Sequence, residues 1–499
     1  MINKHFIYLF IGIFLIASCK DKEKTGLEKY VNNYISNNDS VIMVMKIDLK
    51  QIMADADIQQ LPDIGFELVE TIKSVDSAVG LDEKVYLIGE GPINLDGMPN
   101  KTSLFLAVQD EQRLTNMFSD MGYFFEENGT NKIHEENGLG LLYNSELLII
   151  SLPNFNSNAK QIVETIYEKS TTSIEKENSN AKMLDFLSDD ADVMLSMNLS
   201  NLYGTSNTDI EDLPIEIQDK VRSLTANSYV NYALNFSEGE ISLAMDMAFN
   251  EELEEMMFLA DEGNSEVLSK LGSGTPIMAG AINLNVEKME KMMLDFYPQA
   301  MDEIYSNLGP EGMIVKTIGG SKLSNFTNGD FAFAINGIDG QNFGGMIPEF
   351  SIYSGLGASS TEMQEFIVSF MEGMGMNEVG IGLYEMEGIK LKFDDNSLMA
   401  STVKNISGKE LGSSSISLPE GLEDFGKKPI SFYIDFSNIS AQNIEMMADD
   451  ASIAVNEIRY IFFEGDNNGS KLVIKLKDDS VNVLKKAIDV TLKSFMPSI

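Results

Sequence analysis

Among its 499 residues the chain has one cysteine, Cys19, no tryptophan, two histidines and three arginines, Arg113, Arg222 and Arg459. Each scarcity closes off some chemistry. A single cysteine permits no disulfide within the chain. His134 is the only histidine beyond the N-terminal segment, so counting excludes a zinc site built from cysteines or several histidines. Bidentate recognition of phosphates relies on arginine, and three of them speak against nucleotide and nucleic-acid binding. Basic residues are also outnumbered, 36 to 77, and the net charge of −41 repels nucleic-acid phosphates, anionic headgroups and acidic substrates. The missing tryptophan weighs against a sugar-stacking lectin, although 16 tyrosines remain. No motif implies a metal or other cofactor.

What is present points to a globular protein. The chain is 43% hydrophobic, with 28 Phe and 30 Met, enough to bury sizeable cores. Its length suggests about two to four domains. Beyond residue 18 no apolar run is long enough to cross a bilayer, which takes roughly 20 residues.

Residues 1–18 read as a signal peptide: Lys4 supplies positive charge, Phe6 to Ile16 is apolar apart from Gly12, and Ala17-Ser18 are small. The sequence Leu15-Ile16-Ala17-Ser18-Cys19 resembles a bacterial lipobox. The resemblance implies that Cys19 is lipidated and anchors the mature chain to a membrane, a lipid gaining about 0.8 kcal/mol per buried CH2. An ordinary cleaved signal with an incidental cysteine is the competing reading. Residues 19–30 read as a polar tether. Its start, Lys20-Asp21-Lys22-Glu23, resembles the surface-export signal of Bacteroidetes lipoproteins, with Lys22 interrupting the acidic pair; a plain solvated tether is the alternative.

A pattern recurs along the rest of the chain: an apolar run, an Asp or Asn between two apolar residues, then a helical stretch. Its centres are Ile47-Asp48-Leu49, Met197-Asn198-Leu199, Ile282-Asn283-Leu284 and Ile434-Asp435-Phe436. Intervening elements keep the same order, so the expected architecture is α+β in two tandem, similar halves, residues 31–262 and 275–499. Each half is expected to be a largely antiparallel sheet with helices covering one face. The polar stretch from Glu262 to Pro276 reads as the joint between them. The central Asp or Asn reads as a helix cap, accepting from free N–H groups.

Catalytic motifs are missing: there is no Gly-x-Ser-x-Gly, P-loop, His-Glu-x-x-His or complete Gly-x-Gly-x-x-Gly. A serine triad would need His134, which lies in a polar, turn-like context. Ser-x-x-Lys occurs at Ser157–Lys160 and Ser179–Lys182, but the one Lys-Thr-Gly precedes both. Asp466-Asn467-Asn468-Gly469 reads as a hairpin turn between strands rather than a calcium loop. Clustered methionines, including Met289, Met292 and Met293, read as core packing, with an apolar-ligand groove as the alternative. Asp39-Ser40-Val41, Asp76-Ser77-Ala78 and Asp479-Ser480-Val481 resemble Bacteroidetes O-glycosylation sites.

The lipobox, the tether and the strand–Asp–helix opening from Ser40 to Leu49 together resemble a Bacteroidetes lipoprotein family of about this length and of unknown function. The resemblance implies an outer-membrane lipoprotein of the cell envelope, exposed at the cell surface if the export signal acts. The expected role is non-catalytic binding of a protein or polymer partner. Two alternatives stand beside it: a carrier of an apolar ligand in a Met-lined groove, and a carboxylate-dependent hydrolase.

Overall fold

The computed structural model describes residues 26–57, 75, 77–80, 83–93, 98–153, 158–173, 180–204, 214–272, 274–296, 299–307, 316–317, 320, 322–339, 347–373, 375–386, 388–394, 396–402, 416–438 and 457–488. Contacts divide the chain into two compact units. The first is Met1–Asn250 with Asp478–Ile499, and the second is Glu251–Lys477.

The described strands of the first unit are β1 (Val41–Ile47), β2 (Val85–Ile93), β3 (Pro99–Ala107), β4 (Glu126–Asn128), β5 (Asn131–Glu136), β6 (Leu139–Tyr143), β7 (Leu147–Pro153), β8 (Val193–Asn198), β9 (Tyr229–Ser237) and β10 (Glu240–Ala248). They form an antiparallel sheet in the order β10-β9-β8-β1-β2-β3-β7-β6-β5-β4. The apolar run and its later copy thus become neighbours, with Met45 opposite Leu195.

Side chains alternate across a strand, and this sheet is apolar on both faces. On one face Ile47, Val85, Leu104, Leu106, Leu148 and Ile150 pack with Leu49 and Met53 of α2 (Leu49–Asp55) and with Leu114 and Phe118 of α3 (Glu111–Asp120). On the other, Val44, Tyr86, Ile88, Phe105 and Ile149 pack against three helices. These are α1 (Leu27–Ser36), α4 (Ala159–Thr171) and α5 (Ala181–Leu187). The expected one-sided helical cover is therefore corrected for this unit. Runs such as Leu147-Leu148-Ile149-Ile150 point apolar groups both ways, and each fully buried aliphatic contributes about 1.5–3 kcal/mol.

The second unit contains β11 (Met278–Asn283), β12 (Thr327–Asp339), β13 (Ile347–Leu356), β14 (Asn377–Gly380), β15 (Leu383–Met386), β16 (Ile389–Asp394), β17 (Ser397–Thr402), β18 (Ile430–Asp435), β19 (Ile458–Gly465) and β20 (Gly469–Leu476). Its antiparallel order is β20-β19-β18-β11-β12-β13-β17-β16-β15-β14. Adding ten to each label of the first order reproduces the second. One face carries a core of Ala279, Ala281, Ala332, Ala334, Tyr433 and Phe462. The opposite face, with Ile282, Phe333, Phe432 and Ile461, is only half-buried.

Four boundaries differ from the sequence reading. The stretch from Glu251 to Glu262, assigned to the first half, groups with the second unit. Helix α1 begins at Leu27, so residues 27–30 belong to the fold and not the tether; Leu27, Val31, Tyr34 and Ile35 recur at helical spacing and are buried. The expected joint contains a 3-10 helix, Ser265–Lys270, whose Val267 and Leu268, followed by Leu271, sit in the second core. Its few apolar residues are spaced to point inward together. Finally, the C-terminal stretch assigned to the second half groups with the first unit. Leu484 and Ile488 pack on the core around Phe118, and Lys485 pairs with Asp57.

Candidate functional site

Cys19, the lipobox residues Leu15, Ile16, Ala17 and Ser18, and Lys20, Asp21, Lys22 and Glu23 all lie outside the described residues. So do Ser157, Ser179 and Asp76.

The central Asp and Asn residues serve local structure, in different ways. Asp48 caps α2, its Oδ1 accepting the Gln51 N–H at 2.9 Å. Asn198 accepts the Asn201 N–H at 3.2 Å at the start of α6 (Leu199–Gly204), which α7 (Ile215–Thr225) and, in the second unit, α8 (Glu251–Met256) follow in the chain. Asp435 accepts the Ser437 N–H at 2.8 Å. Asn283 departs from the expected cap. Its Oδ1 accepts the Asn264 N–H and its Nδ2 donates to Asp330, while Asn285 caps α9 (Val286–Phe296) by accepting the Lys288 N–H.

His134 lies on strand β5, a correction to the expected turn. Its ring sits against Tyr123 and Phe125, with centroids 5.0 and 5.5 Å away. Nδ1 is 2.7 Å from the Phe124 carbonyl oxygen, and Nε2 is 3.6 Å from Glu136. Its surroundings are aromatic packing, with no described serine nucleophile in hydrogen-bond contact.

Glu90 on β2 is the most buried carboxylate among the described residues of the first unit, at 4% exposure. It pairs with Lys101 on β3 at 2.5 Å and accepts from Ser40 at 3.0 Å and from Tyr34. Burial pushes its carboxyl up, but the Lys101 ammonium and the hydrogen bonds outweigh this and hold it below the usual carboxylate value. Burial and Glu90 push the Tyr34 phenol well up. Ser40 also donates to Asn38, which accepts from Lys169 at 3.0 Å. The sequence missed this network because its members are spread from residue 34 to 169. Each side chain is occupied by another, so the arrangement pins α1 and α4 to the sheet. Ser40, within one of the glycosylation-like motifs, is engaged here. Ser480, in another, is exposed and donates to Asp478.

A second polar cluster gathers where β1 meets α2. Asp48 pairs with Lys84. Asp192, 6% exposed, accepts the Phe236 N–H at 2.6 Å. Asp55 accepts from Gln51 at 3.1 Å, and its Oδ2 is buried without a hydrogen-bond partner. Burial raises the Asp192 carboxyl, with Asp55 and Asp48 adding to the shift against the Phe236 hydrogen bond. Burial also raises Asp55. Such carboxyls hold protons more readily than usual, the property acid–base chemistry uses. Among the described residues, no group of three or more His, Cys, Asp or Glu could hold a metal ion.

In the second unit a recess of about 290 Å³ is lined by Glu254, Met257, Asp261, Lys288, Asp466, Asn467 and Asn468. The Asp466–Gly469 segment is the β19–β20 hairpin turn: Asp466 accepts the Asn468 and Gly469 N–H groups at 2.8 and 3.1 Å. The Lys428 ammonium helps hold the Asp466 carboxyl below its usual value against burial. The methionines divide between packing and surface. Met256, Met363 and Met376 are buried, Met289, Met292 and Met293 are half-buried on α9, and Met257 lines the recess.

No family model and no curated protein matches this chain. Among solved structures it is similar to crystal form III of TP0453, with a TM-score of 0.28 and 8% identity over 44% of this chain and 82% of that one. Crystal form I of TP0453 gives 0.27 and 8%, over 44% and 78%. Likeness at that level carries no functional meaning for this chain.

Proposed function

We propose that this chain is an exported lipoprotein, held to the outer membrane through a lipid on Cys19, that binds a protein or polymer partner without catalysing a reaction. The observation that carries the reading is the lipobox-like Leu15-Ile16-Ala17-Ser18 ending on the only cysteine of the chain. A second observation is consistent with it. From Cys19 to Leu27, the start of α1, is eight residues. Fully extended, they span at most about 28 Å. A lipid on Cys19 would keep the first unit at the membrane surface, and Lys20 to Glu23 is the signal that would carry it outside the cell. No helix of the described residues is long and apolar enough to cross a membrane.

The architecture that goes with this reading is an internal duplication. It is supported by the identical strand orders and by the recurring strand–Asp/Asn centres in β1, β8, β11 and β18. Duplication offers two related surfaces on one anchor.

The test is metabolic labelling of cells with an alkyne fatty acid, comparing the natural chain with Cys19→Ser. Label on the natural chain alone, with the variant released from the membrane fraction, supports the anchor. Equal label, or none on either, removes it. Protease shaving of intact cells, with a periplasmic control, then decides which side of the membrane the chain faces.

One observation favours a second reading, the apolar-ligand carrier. The half-buried sheet face of the second unit exposes Phe331 to 37%, and α9 carries its three half-buried methionines. A saturable, displaceable response of an apolar fluorescent probe, lost in Phe333→Asp but kept in a surface control, would favour this carrier role.

A further inference from the structure

We infer that the two units complete each other by a reciprocal exchange of chain arms: the segment that leaves each terminal hairpin closes the other unit. This rests on the duplication reading and extends it to how the repeats are joined.

The first arm follows β10. It contains α8 (Glu251–Met256) and belongs to the second unit. Its Leu259 N–H donates to Asn467 in the β19–β20 turn at 3.2 Å, and Asn467 Nδ2 donates back to the Leu259 carbonyl at 2.9 Å. The Ala260 N–H donates to the Asn283 carbonyl at 2.9 Å, and the Asn285 N–H donates to the Phe258 carbonyl at 2.7 Å. The arm is thus bonded to two places, the turn of the last hairpin and the junction between β11 and α9.

The second arm follows β20 and belongs to the first unit. The Gly239 N–H, in the β9–β10 turn, donates to the Val481 carbonyl at 2.9 Å, and Asn482 Nδ2 donates to the Phe236 carbonyl at 3.3 Å. Lys485 then pairs with Asp57 beyond α2, and Leu484 and Ile488 enter the core with Leu49 and Met53. These are the corresponding places: the last hairpin turn, and the helix after the central strand. The fit is tight. Gly239 has φ +64°, and a Cβ there would lie 2.4 Å from the Asp479 Cα.

Each arm leaves its own hairpin at the end opposite the turn. At about 3.3 Å per residue, that turn lies roughly 25–30 Å behind it. The same docking recurring twice, with the partners crossed, is the pattern of an exchanged dimer whose two copies have become one chain.

The test is hydrogen exchange by mass spectrometry on the whole chain. Lys485→Ala, with Lys485→Glu as the stronger variant, is expected to speed exchange about tenfold in residues 41–57 and 229–248. Residues 278–283 and 430–435 should be unchanged, although they lie in the same repeat as the arm. Asn467→Ala is expected to do the converse, speeding 257–260 and 278–296 while sparing 41–57. Acceleration by the Lys485 variants confined to 458–488, or an unchanged map in both, overturns the exchange. Neither result alters the strand order within each unit, so the duplication reading would survive that failure.

Discussion

Removing the ammonium of Lys101 gives the sharpest test of the buried network. Glu90 is 4% exposed, and the Lys101 side chain is 21% exposed. Breaking a fully buried pair by deleting one partner costs about 3–5 kcal/mol; the partly exposed lysine reduces the expectation for Lys101→Met to about 2–3 kcal/mol near neutral pH. The pH dependence separates this cause from lost packing. In the natural chain the Glu90 carboxyl is held below its usual value. Its contribution is therefore present above the unfolded pKa and lost as pH falls through the folded one. Without Lys101, burial dominates and the carboxyl moves above its usual value. The penalty is then full above that raised value and vanishes below the unfolded one, about pH 4.3. The assay is urea denaturation followed by far-UV circular dichroism and tyrosine fluorescence, since the chain has no tryptophan. The deficit of Lys101→Met should shrink on acidification, and adding Glu90→Gln should recover most of it. A deficit below about 0.5 kcal/mol, or one independent of pH, would refute the reasoning.

Other substitutions probe separate links. Gly140→Ala would place a Cβ 2.7 Å from the Ala159 carbonyl oxygen and 2.8 Å from Val163; over-packing there should cost about 1–3 kcal/mol, read from the urea midpoint. Phe118, 2% exposed among Tyr123, Phe125 and Tyr143, should cost about 3–5 kcal/mol on truncation to Ala, with a lower melting temperature. Asp48→Ala removes the α2 cap and should cost about 1 kcal/mol, with faster amide exchange confined at first to residues 49–55. Asp192→Asn keeps an acceptor for the Phe236 N–H and removes a charge whose carboxyl is raised on folding. It should stabilise the chain by of order 1 kcal/mol near neutral pH and lose that advantage in acid, as both carboxyl states protonate.

Much of the framework was legible in the sequence because it is local. The runs ending at Ile47 and Ile282 announce central strands, and Asp48 with Gln51 three residues on announces a helix start. Asp466-Asn467-Asn468-Gly469 announces a hairpin. Other readings failed where a short pattern had two solutions. The polarity of Glu262 to Pro276 hid Val267, Leu268 and Leu271, which meet on one side of a 3-10 turn and fill a core. His134 looked like a turn residue because its neighbours are charged, yet pairing opposite Leu141 of β6 carries it into β5. The Glu90 network left no sequence signal. Its members come from two helices, two strands and a turn, and with 77 acids in the chain no single carboxylate stands out.

The sequence by itself determined the antiparallel, helix-covered character of the chain and the recurrence of its strand–Asp/Asn centres. Side-chain periodicity and capping chemistry are set by neighbours a few residues apart. Only the tertiary structure decided that the first sheet is covered on both faces, which acids are buried beside which bases, and which unit each arm completes. Those outcomes depend on pairings between separate elements, from Glu90 with Lys101 to Asp57 with Lys485, and no local pattern encodes which partner each side chain meets.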